Sequence, residues 1–416
     1  MATIREFRPW RYTDQAGPLA ELIAPPYDVI NEAERDALAA RREAGAIHVI
    51  LPRGEEKYTA AADLLADWKE RGLVSREDGP AMFLSCQSFE AAGTNYDRWG
   101  LLTTLQLERF EDDIVLPHER TLSGPKEDRL RLIRACRTNL SPIFCFVDTS
   151  LELAELAAKA ELLADFVDDK GVRQRVYRIS DETTLAELRG RVDASQVFIA
   201  DGHHRYETAL GYRDERRAEA GGSPALNGTS ADPADYDFVM AHICSTRDPG
   251  LAVLPTHRIP KQAPDAAEFE ARCRELCTVQ EMADGNALWA ALAAPPAGER
   301  HPRLGVVLPG KFLLLSPAAG AQAKLAEIAP ELAVLDVTLL HDVVLPEIPN
   351  DQFTYTHDEQ ETVDAVESGG AGLAILLPPP SVDDVLSISR AALTMPQKST
   401  YFYPKVPSGI AYNPID

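Results

Sequence analysis

The chain has no lysine–arginine block, no Walker-type Gly-x-x-x-x-Gly-Lys-[Ser/Thr] segment and no Gly-x-Gly-x-x-Gly loop, which disfavours P-loop and Rossmann chemistry. It also has no apolar run near the roughly 20 residues that span a bilayer. Basic residues are outnumbered, 42 Lys+Arg against 65 Asp+Glu, for a formal net charge of −23. A surface this acidic repels a nucleic-acid backbone, and no membrane partner is expected. Where basic residues do gather, as in Arg213-Asp214-Glu215-Arg216-Arg217, acids are interleaved with them, as on a solvated helix face. There are only six cysteines, Cys86, Cys136, Cys145, Cys244, Cys273 and Cys277. Cys273 and Cys277 are one helical turn apart, but no second Cys/His pair completes a zinc site, so no metal site is expected. Buried free thiols of a reducing compartment are the reading. The first ten residues lack the apolar core of a signal peptide, so a soluble, cytoplasmic protein is expected. Internal repeats and coiled-coil heptads are absent.

What is present is a long alternation of strand and helix patterns over 416 residues, enough for two or three domains or one large one. Pro25 and Pro26 force an extended segment before Tyr27 and Asp28, and Asn31 caps a helix from Glu32 to Arg42. A second helix runs from about Glu56 to Arg71 and stops at Gly72. Ala81 to Phe89 and Arg98 to Leu107 read as a hairpin turning at Gly93-Thr94-Asn95. Glu111 to Thr121 reads as an irregular loop, Glu127 to Ala135 as a helix and Pro142 to Val147 as a buried strand. Leu151 to Leu163 has a helical pattern. Gly221 to Asp235 has the composition of a mobile loop, and Tyr236 to Ser245 reads as an apolar strand. Beyond Ile259-Pro260 the composition turns alanine-rich, with a hairpin over Pro309-Gly310. The fold class is α+β, mixed α/β.

The most telling segment is Val197-Phe198-Ile199-Ala200-Asp201-Gly202-His203-His204-Arg205-Tyr206. A β-forming run ends in a glycine turn and a helix starts at once. Such a junction directs backbone N–H groups and the positive end of a helix dipole at one point, a cradle for phosphate. Gly202 permits close approach of a ligand. Arg205 can grip phosphate oxygens with parallel hydrogen bonds. A capped helix start needs neither two histidines nor an arginine after the glycine. A second polar cluster, Pro117-His118-Glu119, precedes Gly124-Pro125-Lys126-Glu127-Asp128-Arg129 and offers an acid–base pair. His48 and the pair His357-Asp358 read as structural.

Taken together, Pro25 to Ile30, His118-Glu119 with Gly124 to Arg129, Asp201 to Arg205 and the tail Met395 to Lys405 resemble a large uncharacterised bacterial and archaeal family, a domain of unknown function, over nearly the whole chain. Asp201 to Arg205 also resembles the phosphate-binding signature of the ParB/sulfiredoxin-like superfamily, nearest to its free-serine kinases. Those kinases pair such a segment with a Pro-His-Glu element whose glutamate is the catalytic base. Glu119 and Asp201 are farther apart here than in the compact kinases, which an insertion around Leu151 to Leu163 explains. The resemblance implies a ParB/sulfiredoxin-like nucleotide-binding core with a large insertion over residues 1–258. It leaves an additional C-terminal α/β region over 259–416, whose tail (395–409) returns to the core.

It further implies a kinase using ATP or ADP with Mg2+ to phosphorylate free L-serine or a similar hydroxy amino acid. On that reading Glu119 is the general base, held by His118. Gly202, His203, His204 and Arg205 bind the nucleotide phosphates, His204 also serving catalysis. Asp201 binds the substrate amine or orients a magnesium-bound water. Tyr27, Asp28, Lys126 and Arg129 are candidate substrate contacts. Lys398 and Lys405 are candidate phosphate clamps, against the plainer reading of solvated lysines on a packed strand. Three other readings compete with this one. A sulfinic-acid reductase needs a cysteine where His203 stands. A metal hydrolase needs adjacent histidines to reach one ion, though neighbouring side chains in extended backbone point apart. A ParB-like nucleotide switch acting on a protein partner needs no turnover. Oligomeric state is left open by the sequence.

Overall fold

The computed structural model describes residues 1–119, 123–221, 233–294 and 301–416. The chain divides into two compact units. Met1–Pro117, Thr121–Ala252 and Pro404–Asp416 make the first; His118–Arg120 and Val253–Tyr403 make the second. Most of the segment Gly221 to Asp235, expected to be a loop, lies outside the described residues, as do Arg120 and Thr121.

The first unit is built on a nine-stranded mixed sheet. Its strands are β1 (Ile4–Arg5), β2 (Met82–Ala91), β3 (Thr94–Gln106), β4 (Val115–Leu116), β5 (Ile143–Val147), β6 (Glu161–Val167), β7 (Arg173–Ile179), β8 (Val197–Asp201) and β9 (Phe238–Ser245). They are ordered β4-β8-β5-β9-β3-β2-β7-β6, with β1 paired to β3. β8 is parallel to β4 and antiparallel to β5, while β5 and β9 run parallel. β9 is buried at all eight positions, as a central strand covered on both faces must be. The β2–β3 hairpin turns through Ala92 and Gly93, both with positive φ, the backbone a two-residue hairpin loop demands.

The helices of this unit include α1 (Glu32–Arg41), α2 (Lys57–Glu70), α3 (Ser123–Cys136), α4 (Glu182–Asp193) and α5 (His203–Glu219). Asn31 closes a capping box with Glu34, as expected of its position. Tyr206 ties α5 to the sheet: its hydroxyl donates to the Glu108 carbonyl at 2.7 Å and accepts from the Glu108 N–H at 2.9 Å. Its ring stacks on Phe110 at 5.4 Å. One expectation is corrected. Leu151 to Leu163 is not one helix; only Leu153–Ala157 is helical, and Glu161 onward is edge strand β6, with Leu162 opposite Tyr177 and Ala164 opposite Val176. The apolar spacing there fits a helix, but the free edge of β7 offers ladder hydrogen bonds, and tertiary context overrides propensity.

The second unit holds a six-stranded, wholly antiparallel sheet: β10 (His257–Pro260), β11 (Cys277–Met282), β12 (Leu304–Leu308), β13 (Lys311–Pro317), β14 (Phe353–Thr356) and β15 (Ala374–Leu376), ordered β11-β13-β12-β15-β10-β14. The β12–β13 hairpin turns at Gly310, φ 70°, where the sequence places it. Leu304, Val306, Leu313, Leu315 and Ile375 form the core of this unit with Phe269, Leu339 and Leu340. All six cysteines are free thiols. No described helix is long and apolar enough to cross a membrane.

Candidate functional site

Strand β8 delivers Asp201 to the sheet end, Gly202 turns with φ 90°, and α5 begins at His203. A side chain at Gly202 would be strained by that φ, and its Cβ would lie 2.9 Å from Cζ and Nε of Arg205. The glycine therefore lets Arg205 fold back over the hinge. There the Asp201 carboxylate is held from both sides. Nζ of Lys405 donates to Oδ1 at 2.5 Å and Nη2 of Arg205 to Oδ2 at 2.5 Å. Nη1 of Arg205 donates to the Pro142 carbonyl. The side chains of Asp201, Arg205 and Lys405 are only 13%, 10% and 13% exposed. Burial works to raise the Asp201 carboxyl, but Lys405, Arg205 and His203 outweigh it and hold the group well below the usual carboxylate range. His203 is buried and His204 half-buried, with the His204 carbonyl accepting from Thr208 Oγ1 at 2.6 Å.

A second cluster of the first unit joins two further segments singled out in the sequence. Pro26 is extended, and Tyr27–Val29 follows as one 3-10 turn. The Tyr27 ring lies under the Arg129 guanidinium at 4.1 Å, while Asp28 is exposed. Burial and the nearby Asp28 push the Tyr27 hydroxyl up to about 12. Arg129, on α3, donates from Nη1 to the Ile50 carbonyl at 2.6 Å and pairs with Asp128. Asp128 in turn accepts from Lys57 Nζ at 2.7 Å and from the Tyr58 hydroxyl at 2.8 Å. Its burial would raise the carboxyl, yet Lys57 and Arg129 hold it well below the ordinary range. Lys126, one turn earlier on α3, pairs with Glu207 of α5 at 2.6 Å. Tyr27, Arg129 and Arg205 share one cavity of about 60 Å³, whose wall also includes Leu140, Ser141 and Thr208. So the Pro-Pro-Tyr, Lys-Glu-Asp-Arg and Asp-Gly-His-His-Arg segments meet within one unit.

His118, Glu119 and Lys398 belong to the second unit. Glu119 is bridged in parallel to Met395, whose N–H donates to the His118 carbonyl at 2.8 Å. His118 is fully buried, its Nε2 3.0 Å from Thr400 Oγ1 and its ring edge-on to Phe402. Lys398 sits at φ 60°, and its carbonyl accepts from Nη2 of Arg258 at 3.1 Å. Burial lowers the Arg258 guanidinium to about 10, against the opposing fields of Tyr355 and Glu119. His118 is thus fixed through Thr400 and Phe402, and the loop that carries Glu119 is stitched to the 395–400 segment.

Several participants have no local signal. Lys405 is neither solvated nor an open clamp; it pairs with Asp201 across 204 positions. Its segment is threaded back through the first unit, with Arg98 donating to the Pro404 carbonyl at 2.5 Å and Ser408 pairing with Ala24. Lys57, Tyr58, Arg98 and Arg258 carried no mark in the sequence beyond their residue type.

The chain belongs to the family described as Protein of unknown function (DUF1015), whose model matches residues 4–338. Comparison with curated proteins gives no match. Among solved structures, a mutant free serine kinase in complex with AMP is similar at 12% identity and TM-score 0.39, over 76% of this chain and 92% of that one. A conserved hypothetical protein from Pyrococcus furiosus aligns at 15% identity and TM-score 0.35, over 74% and 94%. SbnI with a C-terminal truncation from Staphylococcus aureus aligns at 9% identity and TM-score 0.34, over 73% and 84%. Likeness at these scores leaves the functional reading to the chain's own residues.

Proposed function

We propose that this protein is a nucleotide-dependent small-molecule kinase that phosphorylates the hydroxyl of free L-serine, giving O-phosphoserine, with ATP or ADP as donor. The observation that carries the reading is the hinge: a strand end, a left-handed glycine and a helix start, with a buried carboxylate neutralised by two cations beside it. A helix start of this kind offers N–H groups and a positive dipole end to phosphate oxygens. The resemblance of Asp201 to Arg205 and of Pro117-His118-Glu119 to the two kinase signatures supports the same chemistry.

In the proposed step the serine hydroxyl oxygen attacks the terminal phosphorus of the nucleotide. The bond from that phosphorus to its bridging oxygen breaks, the hydroxyl proton passes to the Glu119 carboxylate, and ADP or AMP leaves. Backbone N–H groups after Gly202, with the side chains of His203 and His204, hold the phosphate oxygens in line. Asp201 has both oxygens engaged, so its part is to fix Lys405 and Arg205 and hence the positive field of the hinge. No group of three or more His, Cys, Asp and Glu among the described residues is arranged to hold a metal. Any magnesium is therefore assigned to the nucleotide, and no step is routed through it.

The test is a transfer assay with L-serine and either nucleotide. Wild-type protein is expected to form ADP or AMP in a serine-dependent way. Glu119→Gln should keep nucleotide affinity and lose about 10²–10⁴ in turnover, while His204→Ala should weaken both. Full activity in Glu119→Gln would remove Glu119 from the mechanism. Nucleotide binding with no amino-acid-dependent turnover would leave the switch reading standing instead.

A further inference from the structure

The cavity shared by Tyr27, Arg129 and Arg205 combines guanidinium and hydroxyl groups with apolar wall. Its volume of about 60 Å³ exceeds the roughly 10–15 Å³ that one water requires. Both arginine side chains are nine-tenths buried or more, at 9% and 10% exposure. Nε of Arg205 is buried and has no hydrogen-bond partner among the described residues. Ser141 and Thr208 add hydroxyls, while Leu140 and the Tyr27 ring supply apolar wall. Lys57 and Arg129 share the Asp128 carboxylate, and Arg205 and Lys405 share the Asp201 carboxylate. A buried guanidinium with an N–H left unpartnered is costly unless an acceptor completes it. A carboxylate on a short carbon stub matches both the guanidinium groups and the apolar wall.

We infer that this cavity is a carboxylate subsite, in which Arg129 and Arg205 receive the α-carboxylate of the small amino acid. The inference rests on the kinase reading for the identity of the ligand. Arg205 thereby links the two halves of the site, since the same guanidinium fixes Asp201 at the hinge and borders the cavity.

The test measures binding by calorimetry, apart from turnover, on the full chain. L-Serine and glycine should bind the wild-type protein competitively with each other, because both carry the carboxylate. Serinol (2-amino-1,3-propanediol), which keeps the amine and hydroxyl and has a second hydroxymethyl group in place of the carboxylate, should bind at least about ten-fold more weakly, the loss of one charge-assisted contact. Arg129→Lys should weaken L-serine at least about ten-fold and leave ADP affinity unchanged. Thr208→Val, which keeps shape and removes a hydroxyl, gives a second variant should Arg129→Lys unfold, and should weaken L-serine and not ADP. Equal binding of L-serine and serinol would overturn the inference, as would inorganic phosphate displacing L-serine but not ADP from this protein. Carboxylate-dependent binding without phosphoryl transfer would sink the kinase reading and keep the subsite. Transfer to L-serine and serinol with equal kcat/KM would do the reverse.

Discussion

Two buried clusters, one in each unit, hold positive charge in different ways. In the first, Arg205 and Lys405 enclose the Asp201 carboxylate, so cations and anion stabilise one another in a space that water scarcely reaches. In the second, Arg258, 1% exposed, is held by the carbonyls of Thr256 and Lys398 and by the face of Tyr355 at 5.5 Å. The pKa directions record the difference. The ion-paired carboxylate is driven deeper into its charged form, whereas burial lowers the Arg258 guanidinium to about 10. A charge held by its opposite is committed, and removing one member strands the others. A charge held by carbonyl dipoles is conditional, and removing it strands only hydrogen-bond acceptors. The proposed chemistry belongs beside the committed cluster because phosphate needs a fixed positive field that does not reorganise during transfer.

Asp201→Asn should break this contrast most severely. It leaves Lys405 and Arg205 buried without their carboxylate, at a cost of about 3–5 kcal/mol, read as a drop in unfolding free energy by urea titration. Adding Lys405→Met to that variant should restore part of the loss, because one stranded cation is gone; no recovery would argue against the ion-pair account. Arg258→Met should cost less, about 1–3 kcal/mol, since an apolar chain of similar length refills the space and only carbonyls lose partners.

A pH series tests the conditional side. Burial lowers His242 of the first unit, bonded to Ser85, and His257 and His341 of the second to about 3 from an ordinary 6.5. The unfolded chain therefore takes up protons that the folded chain refuses between those values. Stability is full above about pH 6.5 and is lost as pH falls toward 3. The Asp201 and Asp128 contributions, from depressed carboxyls, are lost only below the ordinary carboxylate range. Stability constant from pH 7 to pH 4 would contradict the burial of these histidines. The smallest effect belongs to Lys126→Ala. Its pair with Glu207 is partly exposed on both sides, so the loss should stay within about 1 kcal/mol, seen as a small shift of the melting temperature.

The hinge was legible because it is local. A run of β-formers, one glycine and a helical pattern are adjacent in the chain, and the change of period marks the turn. The Asn31 cap and the Gly310 hairpin were readable for the same reason. The pairing of Lys405 with Asp201 was not, because nothing near Lys405 distinguishes a lysine that will be buried from one that will be solvated. The cavity shared by Tyr27, Arg129 and Arg205 was named only piecemeal, as separate candidates, since its walls come from segments far apart in sequence. The segment from Leu151 misled because its leucines fit two periods, and the unpaired edge of β7 decided between them.

The most direct measurement is an amide NMR titration of nucleotide into the protein, with assignments at Gly202, His203 and His204. The account predicts saturable shifts of those amides at the same nucleotide concentration that calorimetry reports for binding. Nucleotide that binds while those amides stay unmoved would contradict the hinge as the phosphate seat.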